Sequence, residues 1–162
     1  MSLEQHAFIT RQNVPSATAW QAAITQLGFD LQLDPALKPH EDSGYLPCKL
    51  GQTAAGFEIY YESAEELLNE YPHIKERLSS RDYAISFRWG GDMAECACVL
   101  IASAALAKSC DAVVYYPADD LFYTVDELID EAGQALSEID ADAQAQNAAP
   151  VGSTKRWWEF WK

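Results

Sequence analysis

Cys96 and Cys98 are two residues apart in an apolar run, the kind of pair that could hold a metal through two thiolates. On a helix, residues two apart point to different faces. No second cysteine or histidine pair accompanies them, and His6, His40 and His73 are scattered along the chain. The thiols therefore read as small buried hydrophobes, and no metal is expected. Cys48, just after Leu46-Pro47, is a candidate nucleophile with His6 or His40 as its base. That chemistry needs thiol and imidazole in contact, which spacing alone does not establish. Glu58 and the adjacent Asp119 and Asp120 complete the candidates for a small hydrolase or transferase. Gly90-Gly91 ahead of a helix start resembles a phosphate cradle, but Asp92 and Glu95 place negative charge where the anion would lie. A tight strand-to-helix turn is the better reading. The run Asp140-Ala141-Asp142-Ala143-Gln144 fails as a calcium loop, because Ala145 stands at the glycine position and Val151 at the bidentate glutamate position. No cofactor is expected.

Two features point to binding instead. The first is acidic. Asp126/Asp130 and Glu127/Glu131 are like-charge pairs four residues apart, each costing a helix a few tenths of a kcal/mol. A surface that tolerates this either is simply solvated or meets a cationic partner, and Asp126, Asp130 and Glu131 are its candidate contacts. Glu58 alternates with Phe57 and Ile59, so it projects to the opposite face of its strand as a polar anchor on an exposed sheet surface. The second feature is the segment Trp157-Trp158-Glu159-Phe160-Trp161-Lys162 after Lys155-Arg156, which holds three of the five tryptophans. Burying an indole is worth a few kcal/mol, so Trp157, Trp158, Phe160 and Trp161 need something to dock on. The choices are the protein's own acidic body, a partner's groove, or a membrane surface. Eight residues with three cations bind membranes weakly, and the acidic body is repelled by anionic lipid.

The elements that must position these groups alternate between strands and helices. Residues 6–11 read as a strand. Asn13 or Ser16 caps a helix in which Trp20, Ile24 and Leu27 share a face, closed by Gly28. Residues 29–33 alternate as a half-buried strand, and a polar loop over 34–44 leads to a hairpin of strands 45–50 and 56–62. Ser63-Ala64-Glu65-Glu66 is a capping box for a helix that Pro72 must kink or split. Residues 82–88 alternate as a strand. Residues 93–107 are apolar nearly all round, as the most buried helix should be. A strand over 111–116 follows, and Thr124-Val125-Asp126-Glu127 caps a last helix whose apolar face is Val125, Leu128, Ile129, Ala132, Leu136 and Ile139. The order β-α-β-β-β-α-β-α-β-α predicts an α+β fold: a mixed, partly antiparallel sheet of about six strands with about four helices. Residues 1–139 form one domain, 140–154 an Ala/Gln/Asp-rich linker, and 155–162 the aromatic basic tail.

The chain of 162 residues carries a net charge of −14, and since 155–162 contribute +3 and −1, residues 1–154 carry −16. That field opposes nucleic acid and favours basic partners. The N-terminal residues lack the basic and apolar regions of a secretory signal, and four cysteines make no disulfide scaffold, so the cytoplasm is the expected location.

The strand-helix opening over 8–28, Gly56-Phe57-Glu58, and the series of strand 85–89, Gly90-Gly91, apolar helix and Val113-Val114 together resemble the small acidic α+β immunity proteins of bacterial polymorphic and contact-delivered toxin systems. The resemblance spans residues 6–138 and assigns no binding residue. It implies a cytosolic acidic protein that plugs a basic toxin domain. The expected function is therefore a non-enzymatic binding protein that engages a protein partner through its acidic surface and aromatic tail. The alternatives are the small hydrolase or transferase above, or a structural subunit whose tail completes a neighbouring chain.

Overall fold

The computed structural model describes residues 2–148. Its strands are β1 (Leu3–Ile9), β2 (Leu31–Leu33), β3 (Gly44–Leu50), β4 (Thr53–Ser63), β5 (Tyr83–Trp89), β6 (Val113–Tyr116) and β7 (Leu121–Tyr123). Its α-helices are α1 (Ala17–Gln26), α2 (Ala64–Glu70), α3 (Lys75–Leu78), α4 (Met93–Ser109) and α5 (Val125–Ala148). The fold is α+β, as expected.

The sheet departs from expectation in two respects. It has seven strands in the order β2-β3-β4-β5-β1-β6-β7, and every pairing is antiparallel rather than mixed. The interleaved helices suggested parallel neighbours, because a helical crossover returns the chain in the same direction. Here α4 connects β5 to β6, which do run the same way, but β1 lies between them and pairs antiparallel with both. The strand β7 was not foreseen. It is three residues long and follows a turn in which Asp120 takes the left-handed conformation, at φ 49°.

Local chemistry sets the helix ends. Ser16 caps α1 by accepting from the Ala19 amide at 3.1 Å, and Gly28 follows the helix at φ 90°. Thr124 and Glu127 cap α5 reciprocally: each backbone N–H donates to the other's side-chain oxygen, at 2.9 and 3.1 Å. Pro72 splits the second expected helix into α2, a 3-10 turn over Pro72–Ile74, and α3. Beyond Ile139, α5 continues through Ala148 into the stretch read as linker, since Ala and Gln are good helix formers.

One face of the sheet carries the main core. Ala7, Ile9, Phe57, Ile59, Ile85, Phe87 and Val114 meet Trp20 and Ile24 of α1, nearly the whole of α4, and Leu128 and Ala132 of α5. Residues Ala97–Leu106 of α4 are all buried, because α1 and α5 pack against the helix as well as the sheet. The opposite face carries a smaller core of Phe8, Ala84 and Tyr115 under Leu67, Ile74 and Leu78 of α2, α3 and the turn between them. The helices cover only part of that face. Among the described residues, no helix is long and apolar enough to cross a membrane.

Candidate functional site

Alternation along three neighbouring strands brings polar side chains together on the partly covered face. In register, His6 of β1, Ser86 of β5 and Tyr60 of β4 form one row across the sheet, and Glu4, Arg88 and Glu58 form the next. The α2 helix stands beside them, with Leu67 and Glu70 facing the rows. Between these elements lies a cavity of about 430 Å³ lined by Glu4, His6, Tyr60, Glu62, Leu67, Glu70, Ser86 and Arg88, among others. Its volume falls within the range of sites that enclose small ligands.

Hydrogen bonds fix the lining. His6 Nδ1 bonds Ser86 Oγ at 2.7 Å. Glu4 accepts from the Tyr71 hydroxyl at 2.9 Å and from Arg88 Nη2 at 3.4 Å. The Tyr60 hydroxyl donates to Glu58, and the Arg88 guanidinium lies over the Tyr60 ring at 5.8 Å from its centre. Among the described residues, two buried atoms of lining residues have no hydrogen-bond partner: the Tyr61 hydroxyl, whose side chain packs toward the main core, and His6 Nε2. The carboxylate oxygen nearest His6 Nε2, Glu4 Oε1, is 3.8 Å away, too long for a hydrogen bond. Burial lowers the His6 pKa to about 4; the Glu4 carboxylate opposes that shift and Arg88 adds to it. His6 is therefore a neutral imidazole at neutral pH.

The sequence Ser86–His6–Glu4 has the order of a hydrolytic relay, yet its surroundings do not suit acyl transfer. Ser86 is in the middle of β5, 4% exposed, and β5 lies between β4 and β1, so the ladders engage the nearby amides that an oxyanion would need. What the arrangement offers is charge. Glu4, Glu62 and Glu70 face Arg88, the single cation in the lining among the described residues, around a recess with an apolar wall at Leu67. Such a recess concentrates its field on an incoming cation.

Of the residues singled out in the sequence, Glu58 belongs to this face. Asp126, Asp130 and Glu131 are exposed on α5, on the other side of the sheet, so the structure does not bring them together with Glu58. Trp157, Trp158, Phe160 and Trp161 lie outside the described residues. The Cys48 nucleophile is not assembled. Cys48 faces the main core and burial pushes its thiol up, whereas His6 is on the opposite face. His40 packs on Tyr61 and bonds the Tyr83 hydroxyl at 2.9 Å. Cys48 pairs with Ala55, six residues from Tyr61 along β4 and thus about 20 Å away at 3.3 Å per residue. Asp120 accepts from the Tyr115 hydroxyl at 2.6 Å and is 2.7 Å from His73 Nε2, stapling the β6–β7 turn to the segment after α2, while Asp119 is exposed. Cys98 is fully buried and Cys96 half-buried; among the described residues no group of three or more His, Cys, Asp and Glu side chains could hold a metal ion. At Gly90 the amide donates to Glu95 at 3.1 Å, so a carboxylate of the chain itself occupies the place of an anion.

The cavity residues Glu4, Tyr60, Glu62, Glu70, Ser86 and Arg88 were not singled out in the sequence. Period-two alternation over 82–88 puts Ser86 and Arg88 on one strand face, but it does not reveal that β1 and β4 flank them. Comparison with protein-family models, with curated proteins and with solved structures gave no match.

Proposed function

We propose that this chain is a non-enzymatic binding protein that receives a basic protein partner on its acidic surface, with neutralisation of a toxin domain as the concrete form of that task. The observation that carries this reading is the acid-lined cavity: Glu4, Glu62 and Glu70 around one recess, Glu58 beside it, and Arg88 as the single cation in the lining among the described residues. An overall charge of −14 extends the attraction beyond the cavity and speeds encounter with a cationic surface. The exposed acidic side of α5 is a second contact surface in this proposal, and the aromatic tail a third.

The test is a pull-down from native cell extract with the full chain as bait at low and high salt. Four baits are compared: wild type, Glu58→Lys/Glu62→Lys/Glu70→Lys, Asp126→Lys/Asp130→Lys/Glu131→Lys, and a truncation ending at Ala149. The expected result is a protein retained by wild type at low salt, released at high salt, and lost from the sheet-face variant. Retention of the same proteins by wild type and both charge-reversed baits would refute the acidic-surface reading.

A further inference from the structure

The cavity contains an atom that the protein itself leaves unsatisfied. His6 lines the floor with a side chain only 4% exposed, and Ser86 engages Nδ1 while Nε2 bonds to nothing among the described residues. A buried polar atom without a partner is costly, so one kept just behind a cavity wall points to a ligand that satisfies it as the lining adjusts. Beside it is a second acceptor, Glu4 Oε1, 3.8 Å from Nε2. Glu62 and Glu70, neither in an ion pair among the described residues, add negative charge to the same cavity. Two acceptors at that separation, inside an acidic recess, match a positively charged group that carries at least two N–H bonds.

We propose that the cavity binds an organic ammonium or guanidinium cation, which donates one N–H to His6 Nε2 and another to Glu4. The inference rests on the acidic binding surface proposed above and names what enters it: a lysine or arginine side chain of the partner, or a free amine of the same chemistry. It also fixes the imidazole. An N–H donor at Nε2 requires the lone pair there, so the ring proton resides on Nδ1 and is donated to Ser86 Oγ.

The experiment is a titration of the ¹⁵N-labelled full chain at pH 7 and low salt with agmatine, n-butylammonium or tetramethylammonium, following the His6 imidazole nitrogens by NMR. Tetramethylammonium has the charge but no N–H, so it separates hydrogen bonding from general attraction. Saturable shifts of His6 with agmatine or butylammonium, an unprotonated Nε2 in the bound form, and at least tenfold weaker binding of tetramethylammonium are expected. Unmoved His6 resonances, a bound form protonated at Nε2, or equal affinity for tetramethylammonium would each overturn the proposal. All of these are readings on wild type, so none depends on a variant that fails to fold. Partner capture lost from the Glu58/Glu62/Glu70 bait, together with an unmoved His6, sinks this inference and leaves the protein-binding reading standing. Agmatine bound at His6, with partner capture indifferent to the charge reversals, does the reverse and assigns the cavity to a free cation.

Discussion

Acidification from pH 7 to pH 4 should remove about 3 kcal/mol of stability through His6 alone. In the unfolded chain its imidazole takes a proton near the ordinary value of 6.5, whereas in the fold burial holds the pKa at about 4. Between those values the unfolded state binds the proton and the native state does not, so stability falls as pH falls through this window. Above pH 6.5 neither state is protonated and the effect is absent. The gap between 6.5 and about 4, at 1.36 kcal/mol for each factor of ten, gives roughly 3 kcal/mol. The measurement is urea denaturation of wild type and His6→Gln at half-unit steps from pH 7 to pH 4. Other groups titrate in both proteins, including His40, whose pKa is also lowered by burial and by Arg11, so they cancel in the difference. Wild type should lose about 3 kcal/mol more than the variant across the range, whatever the offset between them at pH 7. Parallel losses would show that His6 titrates normally in the fold, and the neutral imidazole of the cavity floor would fall with that result.

Three further substitutions test the scaffold. Gln21 of α1 acts as a surrogate strand for the edge of the sheet: its amide nitrogen donates to Leu31 O and its oxygen accepts from the Leu33 amide, both at 2.8 Å. Gln21→Ala should lower stability by about 1–2 kcal/mol in urea denaturation and raise the apparent mass with concentration in sedimentation, as the freed edge pairs between chains. At Gly56 an added Cβ would lie 2.5 Å from both the Leu46 carbonyl oxygen and the Tyr45 hydroxyl, so Gly56→Ala should cost roughly 1–3 kcal/mol, read as a lower melting temperature. Leu128 is fully buried where α5 docks on the core, and Leu128→Ala should cost about 2–5 kcal/mol in the same assay.

Much of the scaffold is legible because it is written in short-range chemistry. Ser16 and Gly28 mark the ends of α1, the Thr124–Glu127 pair opens α5, and Pro72 interrupts a helix, each through groups a few residues apart. The uniformly apolar stretch ending near Leu106 identified the central helix, since an all-round hydrophobic helix must be enclosed on every side. The site was far less legible. His6 entered the sequence reading only as a base for Cys48, and the thiol proved to face the other side of the sheet.

The sequence by itself determined the α+β class, the positions of most elements, the acidic charge, and the alternation that sends Glu58, Ser86 and Arg88 away from the main core. Tertiary structure alone decided that β1 inserts between β5 and β6, which made the sheet wholly antiparallel and set His6 beside Ser86 across 80 residues of chain. It also decided that Glu4, Glu62 and Glu70 surround one recess while Asp126, Asp130 and Glu131 lie across the sheet from it. The physical reason is that periodicity and capping act over one or two turns or a few residues of strand. Strand order, in contrast, follows from how the whole apolar surface is best buried, and no local pattern encodes that.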